Sequence, residues 1–148
     1  MSEKTGGRSY GRTTDPAAYG DQLAAGPMLQ YDVSSEAESL MAAPSYRRGE
    51  PSGKTLLKEP DLRLVLLALK AGTQMREHDA SGPVAILVFR GRCRVRTEDR
   101  TFELGPGGLL TLEPDIEHDV LAVEDSVLIL SIGRTRYAVE STETVSRH

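Results

Sequence analysis

Two histidines, His78 and His118, occupy similar places in two consecutive units of the sequence, Gly72–Gly91 and Gly105–His118. Each unit combines a glycine turn, a short apolar strand and a proline-containing break with one histidine. This repetition predicts one closed barrel with both imidazoles directed inward. Converging imidazoles can bind a metal ion, transfer a proton or hydrogen-bond a ligand.

A metal site is one interpretation of the histidine pair. His78 and His118 would be ligands of one divalent ion, such as Fe, Mn, Ni or Zn. Two imidazoles alone hold such an ion weakly, and catalytic sites usually have three protein ligands. The third ligand would have to come from Glu77, Gln74 or Glu103, and the sequence does not require any cofactor.

A metal-free ligand pocket is a second interpretation. Gln74 and Arg76 share strand parity with His78, so these three residues and His118 are the predicted ligand-binding set. They would hold a polar or anionic small molecule at one mouth of an apolar barrel. The interior of that barrel is predicted to consist of Val84, Ile86, Val95, Leu112 and Val120. A purely structural role for both histidines is the remaining alternative.

Composition narrows the classes of protein. The chain has 148 residues and a net charge of −4, which fits one domain. Its 18 Lys and Arg residues are spread along the chain, so no nucleic-acid partner is expected. No apolar run approaches the ~18 residues of a membrane helix, so no membrane partner is expected. With a single cysteine and no apolar signal segment, a cytoplasmic protein is expected.

The chain divides into four segments. Residues 1–33 lack apolar periodicity and are predicted to form a flexible arm. Residues 34–54 are predicted to form a short helix and a linker, with Ser35 as N-cap and Glu38 completing a capping box. Residues 55–133 are predicted to form the barrel, and residues 134–148 a polar tail.

Short strands dominate the predicted barrel. Roughly eight of them recur at about ten-residue spacing, which is typical of an antiparallel sandwich or barrel. Arg92–Thr97 alternates, with arginines directed to solvent and Cys93 and Val95 directed inward. Arg63–Lys70 is apolar on both faces, so its outer face needs cover from a second sheet, the N-terminal helix or another subunit. We expect a homodimer with this strand near its seam.

The two histidine units resemble the two sequence motifs of the cupins. The resemblance covers about Thr55–Ile132 and is closest to small single-domain bacterial cupins without an assigned activity. The matching residues are Gly72, His78 and Gly91 in the first motif, and Gly107, Pro114 and His118 in the second. The resemblance implies an all-β double-stranded β-helix, also called a jelly-roll barrel, that is usually dimeric.

The departures from the motifs affect the predicted function. Cupins with a catalytic metal generally supply three histidines and one glutamate, but here Ala80 and Val84 stand at two of those places. The resemblance therefore implies a degenerate metal site and a small-molecule ligand in the barrel. One alternative is a cupin enzyme, either a metal-dependent dioxygenase or a metal-free isomerase or epimerase using His78 and His118. Another alternative is a protein-interaction module.

Overall fold

Two short helices precede the barrel in the computed structural model, which describes residues 26–77 and 82–134. Helix α1 spans Val33–Met41 and helix α2 spans Pro44–Arg47. The predicted N-cap was wrong, because the Asp32 carboxylate accepts hydrogen bonds from the backbone N–H groups of Ser34 and Ser35. Aspartate caps a helix as well as serine does, so α1 begins earlier than predicted. No helix within these ranges has the length and hydropathy needed to cross a membrane.

Nine strands follow within the described ranges, and they form two antiparallel sheets. Their bounds are β1 Ser52–Lys58, β2 Leu62–Leu69, β3 Gln74–Glu77, β4 Val84–Arg90, β5 Cys93–Arg96, β6 Thr101–Leu104, β7 Leu109–Leu112, β8 His118–Ala122 and β9 Ser126–Gly133. The strand order is β1-β2-β9-β4-β7 in one sheet and β3-β8-β5-β6 in the other. The predicted all-β jelly roll is confirmed. Strand β1 begins at Ser52, inside the segment interpreted as a linker.

The two sheets enclose one apolar core. All five predicted interior residues belong to it, and the most exposed of them, Leu112, is only 8% exposed. The alternation predicted for β5 is also confirmed, since Cys93 and Val95 are fully buried while Arg96 is exposed. Burial raises the pKa of the Cys93 thiol, so this side chain packs as an inert apolar group.

The N-terminal helix covers the outer face of β2. Alternate residues of β2 face opposite ways: Leu67 lies in the barrel core, whereas Leu66 and Ala68 pack with Leu40 of α1 in a second cluster. The chain's own helix is therefore one of the three covers that the sequence left open. The face on which a dimer seam was expected is occupied by α1.

A buried ion pair joins α1 to the edge strand β1. The Lys54 ammonium is 2% exposed and lies 2.5 Å from a carboxylate oxygen of Glu36. Burial lowers the pKa of Lys54, and the Glu36 carboxylate opposes that shift. The same ammonium lies 5.6 Å from the centre of the Tyr31 ring. These contacts fix the helix against the sheet.

Candidate ligand-binding site

His118 is the first residue of β8, and its side chain points into the barrel. The residue is only 3% exposed. Its Nδ1 lies 3.1 Å from the carbonyl oxygen of Ile116. A carbonyl oxygen can only accept a hydrogen bond, so Nδ1 carries the proton and donates. In the neutral imidazole Nε2 is then an acceptor, and this buried atom has no hydrogen-bond partner among the described residues.

The loop between β7 and β8 sets the position of this imidazole. The Glu113-Pro114-Asp115 break ends β7, as the sequence predicts, and Asp115 adopts a left-handed conformation with φ of 63°. Aspartate is one of the few residue types that tolerate this region. The turn directs the Ile116 carbonyl back toward His118, so the local sequence selects the tautomer of the ring.

An open cavity of about 1420 Å³ lies at this mouth of the barrel. Its wall consists of the ends of β3, β5, β6, β7 and β8 and the turns that join them. The lining residues are Arg76, Arg96, Thr97, Glu98, Asp99, Arg100, Thr101, Phe102, Leu112, Asp115, Ile116, Glu117, His118 and Asp119. The position of the cavity agrees with the predicted placement of a ligand site at one barrel mouth.

Asp119 organises the charges on one side of this cavity. Its two carboxylate oxygens contact Arg76 at 3.3 Å and Arg96 at 3.2 Å. The pKa of Asp119 is lowered, mainly by the hydrogen bond from Arg96 and further by the charge of Arg76. The carboxylate therefore stays ionised and holds both guanidinium groups against the barrel wall.

Cupin structures match this architecture at low sequence identity. An RmlC-like cupin protein from Desulfovibrio desulfuricans is 19% identical, with 72% of this chain and 97% of the other covered at a TM-score of 0.59. A cupin superfamily protein from Desulfitobacterium hafniense is 14% identical, with 57% and 78% covered at a TM-score of 0.55. The chain has the cupin fold. The resemblance drawn from the two histidine motifs is confirmed.

One further comparison is with a ligand-binding domain, and the others do not specify a function. Residues 64–128, from β2 into β9, match the family model of the AraC-like ligand-binding domain. A conserved protein of unknown function from Streptococcus pyogenes is 16% identical, with 81% of this chain and 97% of the other covered at a TM-score of 0.60. No curated protein sequence matches significantly. Because 527 chains of known structure match, the fold alone does not specify a function.

The four predicted ligand-binding residues do not all share one face of the barrel wall. Gln74 and Arg76 are exposed, and Arg76 pairs in register with the outward-facing Asp119. Of these two, Arg76 lines the cavity, at its rim. Gln74 and Arg76 therefore lie on the outer face of β3, whereas His118 faces the barrel interior. His78 itself lies outside the described residues.

Sequence reasoning also missed part of the site. The turn residues Glu98, Asp99 and Arg100 line the cavity, although none of them was among the predicted site residues. Their signal is positional: the β5–β6 turn and the β7–β8 loop lie at the same end of a jelly roll. His118 and Asp119 point to opposite faces of β8, as strand alternation requires.

The described residues do not by themselves form a metal site. No group of three or more His, Cys, Asp or Glu side chains in residues 26–77 and 82–134 is arranged to hold an ion. Of the predicted third ligands, Glu103 is bound by Arg94 at 2.6 Å on the outer face, and Gln74 is exposed. Within the part of the chain that the structure describes, His118 has the arrangement of a metal-bound histidine, with its other ring nitrogen donating to a carbonyl. The His78–His118 metal pair stays a prediction.

Proposed function

We propose that this protein binds a small molecule at the mouth of its cupin barrel, against His118. The observation that carries the proposal is the buried Nε2 atom without a partner beside a large open cavity. A buried polar atom left without a hydrogen bond costs about 1–3 kcal/mol. A ligand that supplies the missing partner removes this cost, so the site favours the bound state. The match to the AraC-like ligand-binding domain supports the same function.

Binding at Nε2 requires a small movement of the cavity wall. The atom itself has almost no contact with solvent, although other parts of His118 line the cavity. The half-buried ring of Phe102 lines the same cavity, and a rotation of such a side chain is a low-cost way to admit a ligand. The apolar surfaces of Phe102, Leu112 and Ile116 would then contact the carbon skeleton of the ligand.

Thermal-shift screening of a small-molecule panel, followed by calorimetry of the hits, tests this function. We expect His118→Phe, which keeps a ring but removes the nitrogens, to weaken binding by about tenfold or more. Gln74→Ala is the matched control, because Gln74 is exposed on the outer face of β3. Equal affinity in the parent and in His118→Phe would contradict the proposal.

A cupin enzyme remains the alternative function. The tautomer of His118 favours it, since Nε2 is available to a metal or to a proton. Metal analysis of protein purified without a histidine tag distinguishes the two functions. Stoichiometric Fe, Mn, Ni or Zn that is lost in both His78→Ala and His118→Ala would favour the metal-dependent dioxygenase. Turnover without metal would favour an isomerase or epimerase.

A homodimer is the proposed assembly, with a seam other than the one first expected. Leu109 on the edge strand β7 is 59% exposed, on a part of the five-stranded sheet away from α1. Pairing of this face between two copies would bury that side chain. Sedimentation velocity at two concentrations should show a dimer, and Leu109→Lys should shift it toward monomer. A parent protein that sediments as a monomer at high concentration would rule out the dimer.

A further inference from the structure

The charged side chains of the cavity wall are more often acidic than basic, with five carboxylates and three arginines. Its lining includes five acidic side chains: Glu98, Asp99, Asp115, Glu117 and Asp119. Carboxylates only accept hydrogen bonds when ionised, and the bare Nε2 of His118 is a further acceptor. The sequence suggested a polar or anionic ligand because of its arginine, but the charge of the assembled wall is unfavourable to an anion.

Each of the three arginines of the lining contacts another side chain of the protein. Arg76 and Arg96 both bind the Asp119 carboxylate. The guanidinium of Arg100 lies 4.8 Å from the centre of the Phe102 ring, within the range of a cation–π contact. An incoming anion would have to compete with Asp119 for its partners while it approached the remaining carboxylates.

The hydroxyl groups of the lining threonines do not donate to Nε2 of His118 either. Among the lining threonines, Thr97 donates its hydroxyl proton to the carbonyl of Arg100 at 3.3 Å. The hydroxyl therefore closes the β5–β6 turn and is committed within the protein. None of the described side chains donates a hydrogen bond to Nε2, so a bound ligand can supply that donor.

We infer that the ligand of this site is a neutral or cationic compound that donates a hydroxyl or N–H hydrogen bond to Nε2 of His118. The inference rests on the proposed function and adds the chemical class of the ligand. A hydroxyl or ammonium group satisfies the buried acceptor, and the acidic rim attracts further donors. A carboxylate or an ether cannot donate a hydrogen bond to Nε2, so the free-energy cost of this unsatisfied buried acceptor remains.

A series of probes on one benzyl scaffold tests the class of ligand. Benzyl alcohol is a neutral donor, benzylamine a cationic donor, benzyl methyl ether a neutral non-donor and benzoate an anionic non-donor. Titration of the full chain, followed by NMR of the His118 ring nitrogens, gives the affinity of each probe at this residue. We expect the alcohol and the amine to move the Nε2 signal saturably. The affinity of the ether and of the benzoate should be lower by a factor of about ten or more.

The outcomes separate the class of ligand from the existence of the site. Ether or benzoate binding as tightly as the alcohol would overturn the donor requirement and leave ligand binding at the mouth intact. If none of the four probes changes the His118 signals up to their solubility, both the donor requirement and the proposed function fail. The comparison among probes uses the parent protein, so it does not depend on whether a His118 variant folds.

Discussion

Truncation of Leu40 tests whether α1 is an integral cover of the barrel. This side chain is fully buried between α1 and β2. Leu40→Ala removes three carbon groups, whose transfer to water costs together about 2.4 kcal/mol. The cavity left behind adds to this, and comparable buried leucines cost ~2–5 kcal/mol on truncation. We expect a loss of about 3 kcal/mol in the free energy of unfolding, measured by urea denaturation.

The exposed neighbour Ser39 supplies a control on the same helix. Ser39→Ala should change the free energy of unfolding by less than about 0.5 kcal/mol, because the residue contacts solvent. The losses should not depend on protein concentration, since the cover belongs to the same chain. If Leu40→Ala behaves like Ser39→Ala, α1 does not pack on β2 in solution, and the outer face of β2 is open to a second subunit.

Three further sets of substitutions test the structure at other points. Glu36→Gln should cost about 1–3 kcal/mol because an uncharged amide replaces the carboxylate beside the buried Lys54 ammonium. Lys54→Met, which replaces the buried charge with an apolar group, should cost less; chemical denaturation of both variants measures these changes. The pKa of Asp119 is lowered from its ordinary 3.8, so the ion pairs of this carboxylate stabilise the fold above that pH and are lost as the pH falls through the lowered pKa. Asp119→Asn should therefore make the free energy of unfolding less dependent on pH in the acid range. An unchanged pH dependence would contradict the pairing. Gly91→Ala should lower the free energy of unfolding by about 2 kcal/mol or more, because the new Cβ would lie 2.2 Å from a backbone oxygen. Gly107→Ala is the control: it has a similar φ but no atom within 4 Å of the new Cβ, so it should cost less in the same assay.

The fold could be predicted because turn residues and alternation repeat along the chain. The Glu113-Pro114-Asp115 break and the alternation of β5 each define one local element, and both are observed. The N-cap was less predictable, because Asp32 and Ser35 are both good capping residues and their competition is decided by the packing of α1.

The site was only partly predictable because it depends on contacts distant in sequence. Strand alternation places His118 and Asp119 on opposite faces of β8. The pairing of β3 with β8 places Gln74 on the outer face, whereas His118 faces the interior, so these two residues of the predicted set do not share one face. The tautomer of His118 depends on a hydrogen bond to a carbonyl only two residues away in the sequence. The ion pair between Arg76 and Asp119 depends instead on the pairing of β3 with β8, which are distant in the sequence.

The central claim is that Nδ1 of His118 carries the ring proton, whereas Nε2 has no hydrogen-bond partner until a ligand binds. A long-range proton–nitrogen NMR spectrum of the imidazole, recorded with and without a hit from the thermal-shift screen, tests it most directly. The structure predicts a protonated Nδ1 and a bare Nε2 in the free protein, with the Nε2 signal moving on binding. A free protein with the proton on Nε2, or a saturated complex in which neither nitrogen signal moves, would contradict the account.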